Sequence, residues 1–258
     1  MVHFVGAGPG AEDLITLRGK QLIEQADVII YAGSLVNPDI LNYAAKTCEL
    51  HDSSRLTLDE VIGIISSAEK EGRTTVRLHT GDPSVYGAIR EQMDLLSRAG
   101  IRYDVVPGVS SFCGAAAALN MEYTLPGVSQ TVIITRMEGR TPVPAGESIE
   151  ELARHKATMV FFLSAHDTRS LSERLIRAGL SPDTPCALLY HATWEDEQSF
   201  ICTLKTLHET AAENNIQKTA LIIVGEAVLQ SGYDRSKLYS PEFTTGYRKG
   251  TDNNASKE

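Results

Sequence analysis

A chain of 258 residues with 42% apolar content is long enough to bury a real core, as one large domain or two smaller ones. The net charge of −9 and the lack of any lysine- or arginine-rich face argue against a nucleic-acid partner. Cys48, Cys113, Cys186 and Cys202 are widely spaced and form no zinc-type cluster, so no protein-bound metal is expected.

Strand and helix signals alternate from the start, the pattern of an α/β fold. Residues 2–5 read as a strand with no signal-peptide pattern around them, which with reduced thiols points to a cytoplasmic protein. Residues 14–26 read as a helix and Val28-Ile29-Ile30-Tyr31 as a fully apolar strand of a parallel sheet. Thr57 and Glu60 form a capping-box pattern ahead of a helix closed by Gly72. A β-branched run from Thr74 then leads into Arg77-Leu78-His79-Thr80-Gly81-Asp82-Pro83-Ser84-Val85-Tyr86-Gly87. Asp82 and Pro83 are helix-start residues, predicting a helix from Val85 to about Gly100. The same turn would stand beyond the carboxyl end of a strand, where open α/β sheets bind ligands, and Gly81 would leave bare backbone there.

Tyr103-Asp104-Val105-Val106 is a further strand, broken by Pro107-Gly108 and followed by a small-residue helix with four consecutive alanines. The pattern pauses near residues 120–127, which sets a boundary between domains at 1–120 and 121–242. In the second half, strands are expected at 131–135, 158–163, 186–190, 200–203 and 220–224, and helices at 167–178 and 204–214. Residues 243–258 read as a polar, disordered tail. No apolar run approaches membrane-spanning length, so no membrane partner is expected.

Gly6-Ala7-Gly8-Pro9-Gly10-Ala11 satisfies the dinucleotide fingerprint literally and leaves a nicotinamide oxidoreductase open. Against it, the second strand ends Tyr31-Ala32-Gly33-Ser34 without a ribose-binding acid, and Glu12 and Asp13 would repel pyrophosphate. Walker-type and nucleophile-elbow motifs are absent.

Four motifs in order resemble the tetrapyrrole methylases, which use S-adenosylmethionine: Val5-Gly6-Ala7-Gly8-Pro9-Gly10, Gly81-Asp82-Pro83, Val106-Pro107-Gly108-Val109-Ser110-Ser111 and Ala220-Leu221-Ile222-Ile223-Val224-Gly225. Tyr31-Ala32-Gly33-Ser34-Leu35-Val36, the 79–87 stretch and Thr135-Arg136-Met137-Glu138-Gly139-Arg140-Thr141-Pro142 are most similar to the branch that methylates C11 of precorrin-4, or of its cobalt complex, in cobalamin biosynthesis. The resemblance implies two α/β domains with the active site in the cleft between them, a homodimer, and a tetrapyrrole substrate beside the cofactor.

By motif position it assigns the cofactor, and its product S-adenosylhomocysteine, to Pro9, Gly81, Asp82, Val85, Ser110, Ser111, Leu163, Ala192, Thr219 and Ala220. The tetrapyrrole falls to Gly8, His79, Tyr86, Arg136, Arg140 and His191, whose cations would answer its carboxylates. Sirohaem-type members carry an aspartate soon after the second strand; here Ala32-Gly33-Ser34 stands in its place, and no catalytic base is assigned. Another tetrapyrrole methylase, a diphthine synthase and a non-catalytic binding module remain alternatives.

Overall fold

The computed structural model describes residues 1–139 and 141–251. It contains two five-stranded sheets. The first is built from β1 (Val2–Gly6), β2 (Val28–Tyr31), β3 (Glu49–Asp52), β4 (Thr75–His79) and β5 (Tyr103–Val106), in the order β3-β2-β4-β1-β5. Every pairing in it is parallel. One face packs Val5, Ile29, Val76 and Leu78 with Ile23 of α1 (Leu17–Gln25). The other packs Phe4 and Ile30 against Ile65 and Leu96 of α2 (Leu58–Lys70) and α3 (Ile89–Arg98). Burial on both faces explains why the central strands are so uniformly apolar.

Arg77 is the exception. Its guanidinium is buried in this core, where Nε donates to Gln92 Oε1 at 3.1 Å and Nη1 to the Ile30 carbonyl at 3.1 Å. Among the described residues no carboxylate pairs with it, and burial brings its pKa down to about 10.

The second sheet comprises β6 (Val132–Arg136), β7 (Thr158–Phe162), β8 (Pro185–Tyr190), β9 (Gln198–Thr203) and β10 (Ala220–Val224), in the order β6-β7-β10-β8-β9. Only β6 and β7 are parallel; β10 runs antiparallel to both β7 and β8. The carboxyl ends of β6, β7 and β8 therefore share one edge with the amino end of β10. Between the two lobes α4 (Ser111–Ala118) continues from β5, and α5 (Ile149–Ala153), α6 (Thr168–Arg177) and α7 (Leu207–Glu213) cover the second sheet's other face.

Several expectations are revised. The helix foreseen over 14–26 is a short 3-10 turn followed by α1, whose N-cap Thr16 accepts from Gly19 N. Strand β3 carries charged residues at a sheet edge and gives no apolar signal. The helix after Asp82-Pro83 starts only at Ile89, because Tyr86 and Ala88 adopt left-handed backbone with φ of 57° and 49°. Gly87 closes that turn so tightly on the Pro83 carbonyl that a side chain would overlap it. Helix α4, although it precedes residue 120, packs Ala115 with Val160, Ala187 and Ile223 of the second sheet. Its alanines let the helix lie close to that sheet. The stretch after 243 is tied back through Thr251, whose amide donates to the Pro241 carbonyl at 2.9 Å, while residues 252–258 lie outside the described residues.

Candidate functional site

Three loops leave the carboxyl ends of β1, β4 and β5 and meet backbone to backbone. Gly81 N donates to the Gly8 carbonyl at 2.7 Å, and Gly8 N returns a bond to Gly81 O at 3.3 Å. Gly108 lies against both: a Cβ there would meet Gly81 O and approach Gly6 Cα to 2.8 Å. Asp82 locks the arrangement. One of its carboxylate oxygens accepts from Ser84 N at 2.8 Å, and the other accepts from Gly108 N at 2.9 Å. Burial works to raise its pKa, but the Ser84 and Gly108 donors outweigh burial and hold the carboxyl below its usual range. Asp82 thus ties two loops together where the sequence suggested a helix cap.

The second lobe offers strand ends of unusual geometry. Leu163 after β7, His191 after β8 and Thr219 before β10 have φ of 53°, 47° and 54°. Left-handed backbone is uncommon for non-glycine residues, rarest for β-branched ones, and concentrates at ligand sites. Neighbouring bonds hold it in place: Ser164 Oγ accepts from Met137 N at 2.9 Å and donates to Phe162 O at 2.7 Å, while His191 N donates to Thr219 O at 3.1 Å. Leu163 is left 59% exposed at the rim.

These two sets of loops enclose a cavity of about 420 Å³. Pro9, Gly81, Asp82, Val85, Ser110 and Ser111 line it from the first side, and Leu163, Ala192, Thr219 and Ala220 from the second. Every residue assigned to the cofactor therefore borders one space. Ser110 precedes α4 as its N-cap, yet its hydroxyl makes no capping bond, so helix-start amides are left for another acceptor.

The residues assigned to the tetrapyrrole are less united. Tyr86 and His191 line the cavity. The Tyr86 ring meets Phe162 of the opposite lobe at 5.5 Å between centroids. His191 Nδ1 lies 2.8 Å from Asp196 Oδ1. Gly8, His79 and Arg136 stand outside the cavity walls. His79 is buried on Phe4, and burial reinforced by the Arg77 charge pushes its pKa down to about 3. It is a neutral core imidazole near neutral pH, and the cation expected there is absent. Arg136 spends its guanidinium on the carbonyls of Met137, Thr141 and Pro142, at 3.0, 3.2 and 2.9 Å. Arg140 lies outside the described residues.

Sequence reasoning missed Ser34, Phe162, His166, Trp194 and Lys218, which also border the cavity. Lys218 and His166 are exposed basic groups beside it. Among the described residues no group of three or more His, Cys, Asp or Glu is placed to hold a metal, and no helix is long and apolar enough to cross a membrane. The dinucleotide reading of the opening glycines meets a physical obstacle, since the Trp194 indole covers Gly10 where pyrophosphate would need bare backbone.

Residues 1–208 match the family Tetrapyrrole (Corrin/Porphyrin) Methylases. The chain belongs to the tetrapyrrole methylases. A cobalt-precorrin-4 C(11)-methyltransferase from Methanocaldococcus jannaschii is 51% identical over 248 residues, covering 96% of each chain. A solved structure of a cobalt precorrin-4 methyltransferase of cobalamin biosynthesis is 45% identical, with a TM-score of 0.86 over 88% of this chain and 95% of that one. The uroporphyrin-III C-methyl transferase from Thermus thermophilus, solved with S-adenyl homocysteine, is 26% identical, with a TM-score of 0.75 over 89% and 99%. As in these tetrapyrrole methylases the chain is a two-sheet α/β protein, and its family membership makes it a methyltransferase.

Proposed function

We propose that this chain transfers a methyl group from S-adenosylmethionine to C11 of precorrin-4, free or as its cobalt complex, during assembly of the corrin ring. The observation that carries this reading is the convergence of Gly81, Ser110, Leu163, Ala192 and Thr219 on one cavity, in a chain so similar to cobalt-precorrin-4 C(11)-methyltransferases. The donor set suits S-adenosylmethionine. Gly81, with φ of 61°, leaves open backbone, the uncapped start of α4 offers amides, and Ser110 and Ser111 add hydroxyls. The cofactor supplies a methyl group already activated on a sulfonium, so the protein needs no strong nucleophile.

What the chain's own residues contribute is alignment. Asp82 fixes the Gly81 and Gly108 loops, and the left-handed residues at Leu163 and Thr219 fix the opposing wall. Holding two reactants in line supplies roughly 7–11 kcal/mol in favourable cases. Val85, Phe162 and Leu163 give the cleft apolar surface, which favours release of water when the reactants bind. Lys218, His166 and His191 are the bordering basic side chains that would meet substrate carboxylates. Cobalt, where present, belongs to the substrate and is held by its ring.

Anaerobic incubation with methyl-labelled S-adenosylmethionine and precorrin-4, with and without cobalt, tests the proposal by NMR. The expected product carries one new labelled methyl at C11. No transfer in either arm, or a label on another ring carbon, would overturn it.

A further inference from the structure

Trp194, the only tryptophan of the chain, stands in the turn between β8 and β9 and reaches across to the first lobe. Its indole Nε1 donates to the Pro9 carbonyl at 3.2 Å, and its ring covers Gly10 so closely that any side chain at Gly10 would overlap it. Thr193 adds a second tie, accepting at Oγ1 from Ala11 N at 3.0 Å. Asn37 Nδ2 supports the same turn from behind, donating to Gly10 O at 3.0 Å. Pro9 and Trp194 both border the cavity, so this tie lies at its edge.

The turn bearing Trp194 is itself braced. The indole stacks on His191 at 4.7 Å between centroids, and His191 stacks on Tyr190 at 3.9 Å. Trp194 N donates to His191 O at 2.9 Å, and Thr193 N donates to Glu197 Oε2 at 2.5 Å. Thr193 holds a left-handed φ of 71°, a costly conformation for a β-branched residue that the bracing bonds maintain. The result is a rigid arm from the second lobe seated on the first lobe's glycine-rich turn.

We infer that Trp194 is a positioning residue that sets the spacing of the two lobes at the cofactor cleft by clamping the Pro9–Gly10–Ala11 turn. This rests on the reading of the cleft as the S-adenosylmethionine site. The clamp gives Gly10 a purpose its fingerprint does not suggest: it makes room for an indole.

Calorimetry with S-adenosylhomocysteine and methyl-transfer kinetics on wild type, Trp194→Ala, Trp194→Phe and Thr193→Val test it, below the unfolding transition of each variant. Trp194→Ala is expected to weaken binding at least tenfold and to raise KM for S-adenosylmethionine with a fall in kcat. Trp194→Phe, which keeps the stack but not the N–H donor, should recover most of the loss. Thr193→Val should weaken binding about threefold and carries the test if Trp194→Ala does not fold. Binding and kcat within twofold of wild type in Trp194→Ala, or in Thr193→Val where that variant stands in, would overturn the clamp while leaving the cleft assignment intact. Wild type that fails to bind S-adenosylhomocysteine would instead overturn the cleft assignment, and the clamp with it.

Discussion

Replacing Gly108 by alanine is expected to destabilise the protein by about 3 kcal/mol and to abolish measurable S-adenosylhomocysteine binding. The added methyl would collide with the Gly81 carbonyl and the Gly6 Cα, which are backbone atoms and cannot rotate away. Relief requires the β5 loop to retreat, and that breaks the Gly108 amide bond to Asp82 and moves Ser110 and Ser111 out of the cavity wall. Gly63→Ala is the matched control. Gly63 lies mid-helix in α2 with nothing near its missing Cβ, so alanine there should stabilise by ~1 kcal/mol and leave binding unchanged. Urea denaturation and calorimetry on both variants check the pair. Equal stability of Gly108→Ala and wild type would contradict the close backbone convergence.

The second large effect is a loss of stability in mild acid that His79 causes. In the unfolded chain this imidazole titrates near 6.5, and in the folded protein its pKa is down at about 3 because of burial and the Arg77 charge. Between those values the unfolded state binds a proton that the native state refuses, so stability rises with pH through the window and falls as pH drops below 6.5. The slope approaches ~1.4 kcal/mol per pH unit, which amounts to about 2 kcal/mol lost by pH 5. His79→Phe keeps a ring against Phe4 and removes the titration. Denaturation at pH 7 and pH 5 should show the wild type losing about 2 kcal/mol more than the variant. The same pH dependence in both proteins would rule out the buried neutral imidazole.

How far the sequence was legible depended on whether a signal was local. Strand β10 was read to the residue because Ala220-Leu221-Ile222-Ile223-Val224 is a continuous apolar run buried in the middle of a sheet. Strand β3 escaped because Glu49-Leu50-His51-Asp52 pairs along one edge only and leaves its charges in water. Asp82-Pro83 carries good helix-start chemistry, and one carboxylate oxygen does accept locally from Ser84 N, but the other is held by Gly108, distant in the chain, and no local pattern records that. The cofactor assignments depended on motifs at strand ends, whose positions the topology fixes, and all of them border the cavity. Of the residues assigned on charge, His79 is buried and neutral, and Arg136 ties its own loop. A basic residue's type says nothing of which carbonyls surround it. Trp194 was passed over because its partners, Pro9 and Gly10, stand at the far end of the chain.

A crystal structure of the protein with S-adenosylhomocysteine shows directly whether the cleft between the lobes is the cofactor site. The product is expected between the lobes, touching Gly81 and Ser110 on one side and Leu163, Ala192 and Thr219 on the other. Product bound at any other place on the protein, with those residues left untouched, would contradict that assignment.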